Sequence, residues 1–512
     1  MQIYNNKAVL LKVRNPQQIT TVIPKSKLLD DGRVMVSWGL EEMQVLKNIG
    51  IRNVPSPINR DYKWPGVYTP FAHQKVTAEF LTLHRRAFCF SEQGTAKTAS
   101  AAWAADYLMT KGAVRRVLVV CPLSIMDVAW RADLFRTTMH RRVDIAHGNA
   151  KKRKAVINSD AEIVITNYDT VSNSLEDLMY GGFDLIVADE CSLLKTATTK
   201  RWKCFRQLVG PSTWLWMMTG TPAAQSPLDA YGLAKLVNPD GVPKFFSAFR
   251  DLVMTQLTPF KWVPKATSKD VVFAALQPAI RFTKEECLDL PPMIYVKRRV
   301  EMTPQQNKFY NEMKKKLMIE AAGEQITAAN AAVKLGRLIQ IACGAVYTDD
   351  GDTVEFDITT RYKVLQEIVA ETTNKVLIFA PYRHVIQQLH RQLNEDGVPT
   401  EIINGDVSAT KRADIFKAFQ TEDSPRVLVI QPQAASHGVT LTAADTVVWW
   451  GPTPSVETYQ QANARVHRPG QKSKCTVFQL FGSDAEVHMY SLLDRNLGVH
   501  SEMINLYKKV LE

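Results

Sequence analysis

Three groups of residues in this 512-residue chain carry functional side chains at spacings that chemistry could use. The first is SEQGTAKT, residues 91–98, where a strand-like run (87–90) gives way to a helical pattern beginning at Thr98. A loop at such a junction points backbone N–H groups and a helix N-terminus at one spot, a setting that suits phosphate groups. Gly94, Thr95 and Ala96 would line the loop, Lys97 would reach the outer phosphates of a triphosphate, and the Thr98 hydroxyl would hold Mg²⁺. The usual pattern GxxxxGK[ST] has glycine where Ser91 and Ala96 stand. On these residues alone, an ordinary strand-to-helix turn stays open as the alternative.

The second group is Asp189 and Glu190, which follow the apolar run LIVA and lie 92 residues downstream of Lys97. An acidic pair there divides two jobs, Asp189 orienting Mg²⁺ through water and Glu190 polarising an attacking water. Two solvated carboxylates are the plain alternative. The third group is Gln461, Arg465 and Arg468 in TPSVETYQQANARVHRPGQ. Ser455 is placed to cap a helix that Pro469 and Gly470 would end, and the i, i+4, i+7 spacing predicts that all three residues share one face. Two arginines together suit a transition-state phosphoryl group, because guanidinium donates in a fork and stays charged. Such a finger is worth ~10³ to 10⁵ in rate; a surface arginine pair is the bland reading. Gln74, at the start of an amphipathic helix in residues 68–81, carries an amide able to donate to and accept from an adenine edge.

The elements that must position these groups follow a repeated strand, loop, helix order. Continuous apolar runs occur in 114–124, 161–171, 183–192 and 213–222, separated by helical stretches. That pattern predicts a buried parallel sheet with helices on both faces, whose ligands bind at the carboxyl ends of the strands. Pro122, Thr166, Asn167, Asp189, Glu190, Thr219 and Thr221 would then line one crevice. The same order returns in 375–382, 426–438 and 445–450, which predicts a second parallel sheet.

The expected organisation is a β-rich module over 1–60, a first α/β lobe over 65–240, a helical insertion and linker region without strand signals over 241–355, a second lobe over 356–495 and a C-terminal helix over 496–512. In the first module KAVLLKV, QITTVI and RVMVSW alternate like strands; the module would serve as a cover for a sheet edge or as a substrate-binding element. Pro55, Pro57 and Pro65 mark a linker.

Length predicts two or three domains, and 46% hydrophobic with 22% charged residues excludes a disordered chain. The net charge of +12 favours a polyanionic partner, nucleic acid being the common one. Basic runs at 141–154, 195–203 and 297–299 are candidate phosphate contacts or solvated faces. Seven scattered cysteines, none at CxxC spacing, fit a reducing compartment without a zinc site. Neither a signal peptide nor a membrane-length apolar run is evident, so the expected location is the cytoplasm or otherwise intracellular.

In this order the motifs resemble the superfamily-two helicases, and within them the Swi/Snf-type ATP-dependent DNA translocases. The matching pieces run from HQ (73–74) and EQGTAKT (92–98) through VVCPLSIMDVAW (119–130), ITNYDT (165–170), ADECSLLK (188–195) and MTGTPAAQSPLDAY (218–231). They continue with LDLPPMIYVKRRVEMTPQQNKFY (288–310), LIFAPY (377–382), NGDVSATKR (404–412), HGVTLTAAD (437–445) and QANARVHRPGQ (461–471), the most specific of them. The resemblance implies α/β architecture with two tandem RecA-like parallel-sheet lobes that bind ATP and Mg²⁺ and move along duplex or branched DNA. It assigns adenine contact to Gln74, phosphate and metal to Gly94, Lys97, Thr98 and Asp189, water activation to Glu190 and arginine fingers to Arg465 and Arg468. Thr219 and Thr221, in the TGTP loop, would couple ATP state to DNA grip. Pro122, Asn167, Gly405 and Gly438 would mark loops near the tracked strand. Two departures stand out: Ala96 replaces a glycine, and DECS replaces a DEAH-like tetrad, which touches the relay to the TGTP loop.

A DNA-stimulated translocase on duplex DNA, remodelling forks or branches or displacing bound proteins, is the expectation. A strand-separating DNA or RNA helicase is the second reading, and an ATP-regulated nucleic-acid-binding module without turnover the third.

Overall fold

A computed structural model describes residues 1–220, 222–223, 226–258, 261–287, 290–323, 328–347, 353–435 and 439–494. The expected C-terminal helix over 496–512 lies outside the described residues. The chain forms two units, the first comprising Met1–Ala223 and Pro227–Cys287 and the second comprising Ala224–Ser226 and Leu288–Glu512.

The first unit opens with an antiparallel sheet of β1 (Gln2–Tyr4), β2 (Ala8–Leu11), β3 (Ser26–Leu28) and β4 (Val34–Ser37) in the order β1-β2-β4-β3. The alternation in QITTVI misleads, because Pro16–Val22 is a helix. Asn15 accepts from Gln18 N at 3.4 Å and Pro16 supplies a first-turn φ, so the start signal outweighs the β-branched pattern. Ile19 and Ile23 then fall one helical turn apart and are both buried. The proline-marked segment is pinned rather than free. Ser56 N donates to Glu79 Oε1 at 2.8 Å, and Trp38 Nε1 donates to the Pro55 carbonyl at 2.9 Å.

The main sheet of this unit contains β5 (Arg86–Cys89), β6 (Val117–Cys121), β7 (Val143–Ile145), β8 (Ile163–Asn167), β9 (Leu185–Asp189), β10 (Trp214–Met218) and a short β13 (Ala279–Ile280). The order β13-β5-β10-β9-β6-β8-β7 is parallel throughout. Successive residues of each strand face opposite sides. Leu118, Val120, Ile186, Ala188, Leu215 and Met217 enter one core, while Val117, Val119, Leu185, Val187, Trp214 and Trp216 enter the other. Both faces being covered is why the strands read as unbroken apolar runs. The register sets Met218 beside both Cys89 and Asp189, and Cys121 beside Asn167, so the carboxyl ends share one edge.

The region 241–355 does contain strands, contrary to the expectation from sequence. A hairpin of β11 (Met254–Thr258) and β12 (Lys261–Pro264) is followed by β13. β13 seals the edge of β5 with Phe88 N donating to Pro278 O at 2.9 Å and Phe90 N donating to Ile280 O at 2.8 Å. A two-residue strand is too short to leave a periodicity.

The second unit is built on β14 (Met293–Arg299), β17 (Lys375–Phe379), β18 (Thr400–Ile403), β19 (Val427–Ile430), β20 (Ala444–Trp449) and β21 (Cys475–Phe481), parallel and ordered β14-β21-β20-β17-β19-β18. A small hairpin pairs β15 (Ala345–Tyr347) with β16 (Thr353–Glu355). β14 is an edge strand whose Lys297, Arg298 and Arg299 blunt that edge, and these charges hid it among the helical residues. Two further helices of this unit are Pro304–Gly323 and Ala328–Cys343. Tyr310, Leu317, Leu335, Leu338, Ile339 and Ile341 are buried in the core of this unit. Among the described residues, no helix is long and apolar enough to cross a membrane.

Candidate nucleotide site

β5 leads through Phe90 into the loop Ser91–Ala96 and then the helix Lys97–Thr110. Gly94 sits at φ +89° and Ala96 at φ +54°, ψ +45°. A left-handed alanine costs roughly 1–2 kcal/mol, which explains the glycine usual at this place. The loop is clamped from the helix Ala72–Leu83: His73 Nε2 donates to the Thr95 carbonyl at 2.9 Å, and Gln74 Nε2 donates to the Ala96 carbonyl at 3.2 Å. Gln74 Oε1 accepts from Phe71 N at 2.9 Å. The amide expected at adenine is therefore engaged at both ends, each keeping one further hydrogen-bonding position. From the other side, Phe282 N donates to Ser91 Oγ at 3.1 Å and Lys284 N to Glu92 Oε2 at 3.1 Å.

Lys97 folds back over the loop, its Nζ donating to the carbonyls of Ser91 at 2.7 Å and Glu92 at 3.1 Å. Those bonds occupy donors that phosphate oxygens would take. Thr98 is the second residue of the helix and is half-buried.

The acidic pair stands at the carboxyl end of β9, beside this loop. Asp189 is 8% exposed; its Oδ2 accepts from Trp130 Nε1 at 2.9 Å and its Oδ1 from Glu190 N at 3.0 Å. Burial pushes the Asp189 carboxyl up to about 6, with the Glu190 charge adding to the rise and the Lys97 charge and the Trp130 bond opposing it. Glu190 adopts φ +51°, which turns the chain sharply after the strand. Its Oε1 accepts from Gln93 Nε2 at 2.8 Å, while its buried Oε2 has no hydrogen-bond partner among the described residues. Tyr168 Oη braces the same turn by donating to the Asp189 carbonyl at 2.7 Å. In the tetrad DECS, Cys191 is buried and burial pushes its thiol well up, as expected of an inert space-filling cysteine.

The loop lysine, the acidic pair and Gln74 thus converge. Metal-binding chemistry fits this donor set: a carboxylate held partly by hydrogen bonds, a helix-terminal hydroxyl and a second carboxylate with an oxygen to spare. Trp130 and Gln93 carry the carboxylates yet were not singled out from sequence. Both lie inside motif segments, and only the tertiary contact reveals their partners.

Of the nucleic-acid candidates, Pro122, Asn167 and Thr219 stand at the shared carboxyl edge of the first sheet. Pro122 follows β6. Asn167 ends β8, with its Oδ1 accepting from Thr170 N at 2.9 Å as a helix cap. Thr219 is fully buried and extends the sheet, its N donating to the Cys89 carbonyl at 3.1 Å. Thr221 lies outside the described residues, as does Gly438. Gly405 follows β18 in the second unit, where a Cβ would meet Arg383 Nη2 at 2.8 Å.

The third group differs from its expected geometry. Ser455 does cap a helix, accepting from Thr458 N at 3.1 Å, but the helix is Val456–Asn463 and stops before either arginine. Gln461, Arg465 and Arg468 therefore do not share a helical face. Continuation would need the N–H of residue 469 for the Arg465 carbonyl, and Pro469 has none. Leu441 N takes that carbonyl at 2.9 Å instead. Gln461, 4% exposed, donates from Nε2 to Glu457 Oε1 at 3.1 Å. Arg465 is buried at 5% exposure, and Arg468 Nη1 donates to Val439 O at 2.8 Å and Thr440 Oγ1 at 3.0 Å. Gln471 Nε2 fastens the segment to the start of β20 through Ala444 O at 2.9 Å.

Comparison with known proteins places the chain in a family. The pattern of the SNF2-related domain matches residues 43–344, and that of the helicase conserved C-terminal domain matches residues 360–470. The chain is 24% identical to an uncharacterized ATP-dependent helicase of Mycoplasma genitalium over 82% of this chain and 40% of that protein. It is 25% identical to protein p41 of Acyrthosiphon pisum secondary endosymbiont phage 1, over 78% of this chain and 88% of p41. To the SWI/SNF-related matrix-associated actin-dependent regulator of chromatin subfamily A-like protein 1 of Xenopus tropicalis it is 24% identical, over 66% of this chain and 36% of that protein. Against the solved Sulfolobus solfataricus SWI2/SNF2 ATPase core in complex with dsDNA, the TM-score is 0.43 at 21% identity, covering 88% of this chain and 98% of that one. With more than half of its length matched by the SNF2-related domain and the helicase C-terminal domain following it, the chain belongs to the SNF2 family of ATP-dependent helicase-type ATPases, with two RecA-like sheets.

Proposed function

We propose that this protein is an ATP hydrolase stimulated by duplex DNA, which converts turnover into movement along double-stranded DNA and acts at forks or branches or on proteins bound there. The observation that carries the reading is the convergence of Lys97 with the Asp189–Glu190 pair at one sheet edge, Glu190 keeping an oxygen without a partner. Lys97 would exchange its loop carbonyls for phosphate oxygens, a substitution of like acceptors that needs only side-chain rotation. Thr98 and Asp189 would hold Mg²⁺, which when bound supplies charge neutralisation at the phosphates. Glu190 would accept the proton of the attacking water through Oε2. Arg465 and Arg468 would lend positive charge to the transferring phosphoryl group.

DNA engagement would rest on phosphate contacts, to which the net charge of +12 contributes long-range attraction without base selection. Pro122, Asn167, Thr219, Thr221, Gly405 and Gly438 are the positions assigned to the tracked strand. The left-handed Ala96 favours one second reading, a nucleotide-regulated binding module with little turnover.

Phosphate release measured on single-stranded, duplex, forked and four-way DNA, with RNA as control, tests the assignment. Turnover on duplex or branched DNA well above the basal rate, abolished by Lys97→Ala, is the expected result. Equal rates with and without DNA would overturn it, and saturating DNA with no phosphate release would select the binding module.

A further inference from the structure

The general base of a hydrolase must present one oxygen to water while its other oxygen is held, since a freely rotating carboxylate spreads its lone pairs over many directions. Glu190 meets half of that requirement by its own position. The left-handed turn at φ +51° fixes its Cα, but the side chain beyond has rotatable bonds. The second half comes from an unexpected quarter. Gln93, within the phosphate loop, donates from Nε2 to Glu190 Oε1 at 2.8 Å, and Oε2 is left buried with no partner among the described residues.

Gln93 has a further neighbour. The backbone of Gly220, in the loop after β10, faces it with room for one more carbon between them. A Cβ built on Gly220 would stand 3.5 Å from Gln93 N and Cγ and 3.6 Å from Nε2. The amide is bonded to the Glu190 carboxylate, and Gly220 is its neighbour on the side of the loop after β10.

We propose that Gln93 is a positioning residue that holds one oxygen of Glu190 so that the other faces the attacking water. Gln93 touches no reacting atom in this role. The inference rests on the reading of Glu190 as the water-activating group.

The test uses the full chain with ATP, Mg²⁺ and saturating duplex DNA. Gln93→Met keeps the side-chain length but removes the donor. The expected result is a fall in kcat on the order of tenfold or more, with KM for ATP held within about twofold and the stimulation by DNA reduced. Gln93→Glu keeps the shape but turns the donor into a like charge, and a loss at least as large is expected. A role in packing alone would leave Gln93→Glu close to the parent. Either variant retaining kcat within about twofold of the parent overturns the proposal. A rise in KM that accounts for the loss also overturns it, by making Gln93 a nucleotide contact. A parent protein that releases no phosphate on any nucleic acid would defeat the functional reading itself, and is recognised before any variant is made.

Discussion

Two buried carboxylate sites, one in each unit, are provided for in opposite ways. In the second unit Glu486 has no solvent exposure, and every side of it is answered. Arg361 Nη2 donates to its two oxygens at 2.8 and 3.0 Å, Gly482 N at 2.9 Å, Ser483 N at 3.0 Å and Ser483 Oγ at 2.9 Å. In the first unit Asp189 and Glu190 place two like charges side by side, with one donor on each side chain from elsewhere in the fold and one oxygen unanswered. A fold has no reason to tolerate the second arrangement for stability, since an unpaired buried polar atom is costly. A bound cation and a water would supply what is missing. The satisfied site reads as architecture and the under-satisfied one as chemistry.

Substitutions should separate the two kinds of site. The largest effect is expected from Glu190→Gln, which should lower DNA-stimulated phosphate release by ~10² to 10⁴ while leaving the unfolding midpoint at or above that of the parent. Arg361→Ala should do the reverse. It strands Glu486 as a buried charge and should cost about 3–5 kcal/mol in the second unit, seen as an earlier urea or thermal transition with any activity loss tracking unfolding. If Arg361→Ala melts like the parent, the contrast between the sites is mistaken.

The Asp189 carboxyl offers a test by pH. Because its value in the folded chain is raised from the usual range to about 6, the folded state holds the proton more tightly than the unfolded one. Its contribution is fully present below about pH 4 and is lost as pH rises through about 6. Asp189→Asn should therefore raise the melting temperature of the nucleotide-free, EDTA-treated protein by a few degrees at pH 8 and by little at pH 4. Turnover should be lost in the same variant. Equal gains at both pH values would remove the electrostatic explanation. The smallest effect belongs to Ala96→Gly, which relieves a left-handed alanine and should stabilise the loop by about 1 kcal/mol at most, read as a modest rise in kcat or nucleotide affinity.

The loop and the acidic pair of the first unit were legible in residue order because each is local. Lys97 and Thr98 follow their loop directly, and Asp189 and Glu190 sit at the end of an apolar run whose burial on both faces leaves a continuous signature. The arginine segment was legible in residue type but not in shape. Spacing predicted a helical face through Arg468, but the helix ends at Asn463 and the Arg465 carbonyl is taken by Leu441 N. Strand β13 was hidden for the opposite reason, being two residues held entirely by backbone bonds to β5.

By itself, the order of residues determined the two parallel sheets, the strand-to-helix loop before Lys97 and the acidic pair after β9, because burial on both faces and short-range loop chemistry are written in consecutive residues. Tertiary structure alone decided which side chains hold those groups. Gln93 and Glu190 are 97 positions apart, and Trp130 and Asp189 are 59 apart. Hydrogen bonds of that reach depend on the register of strands and on loops turning back, and no local pattern records them.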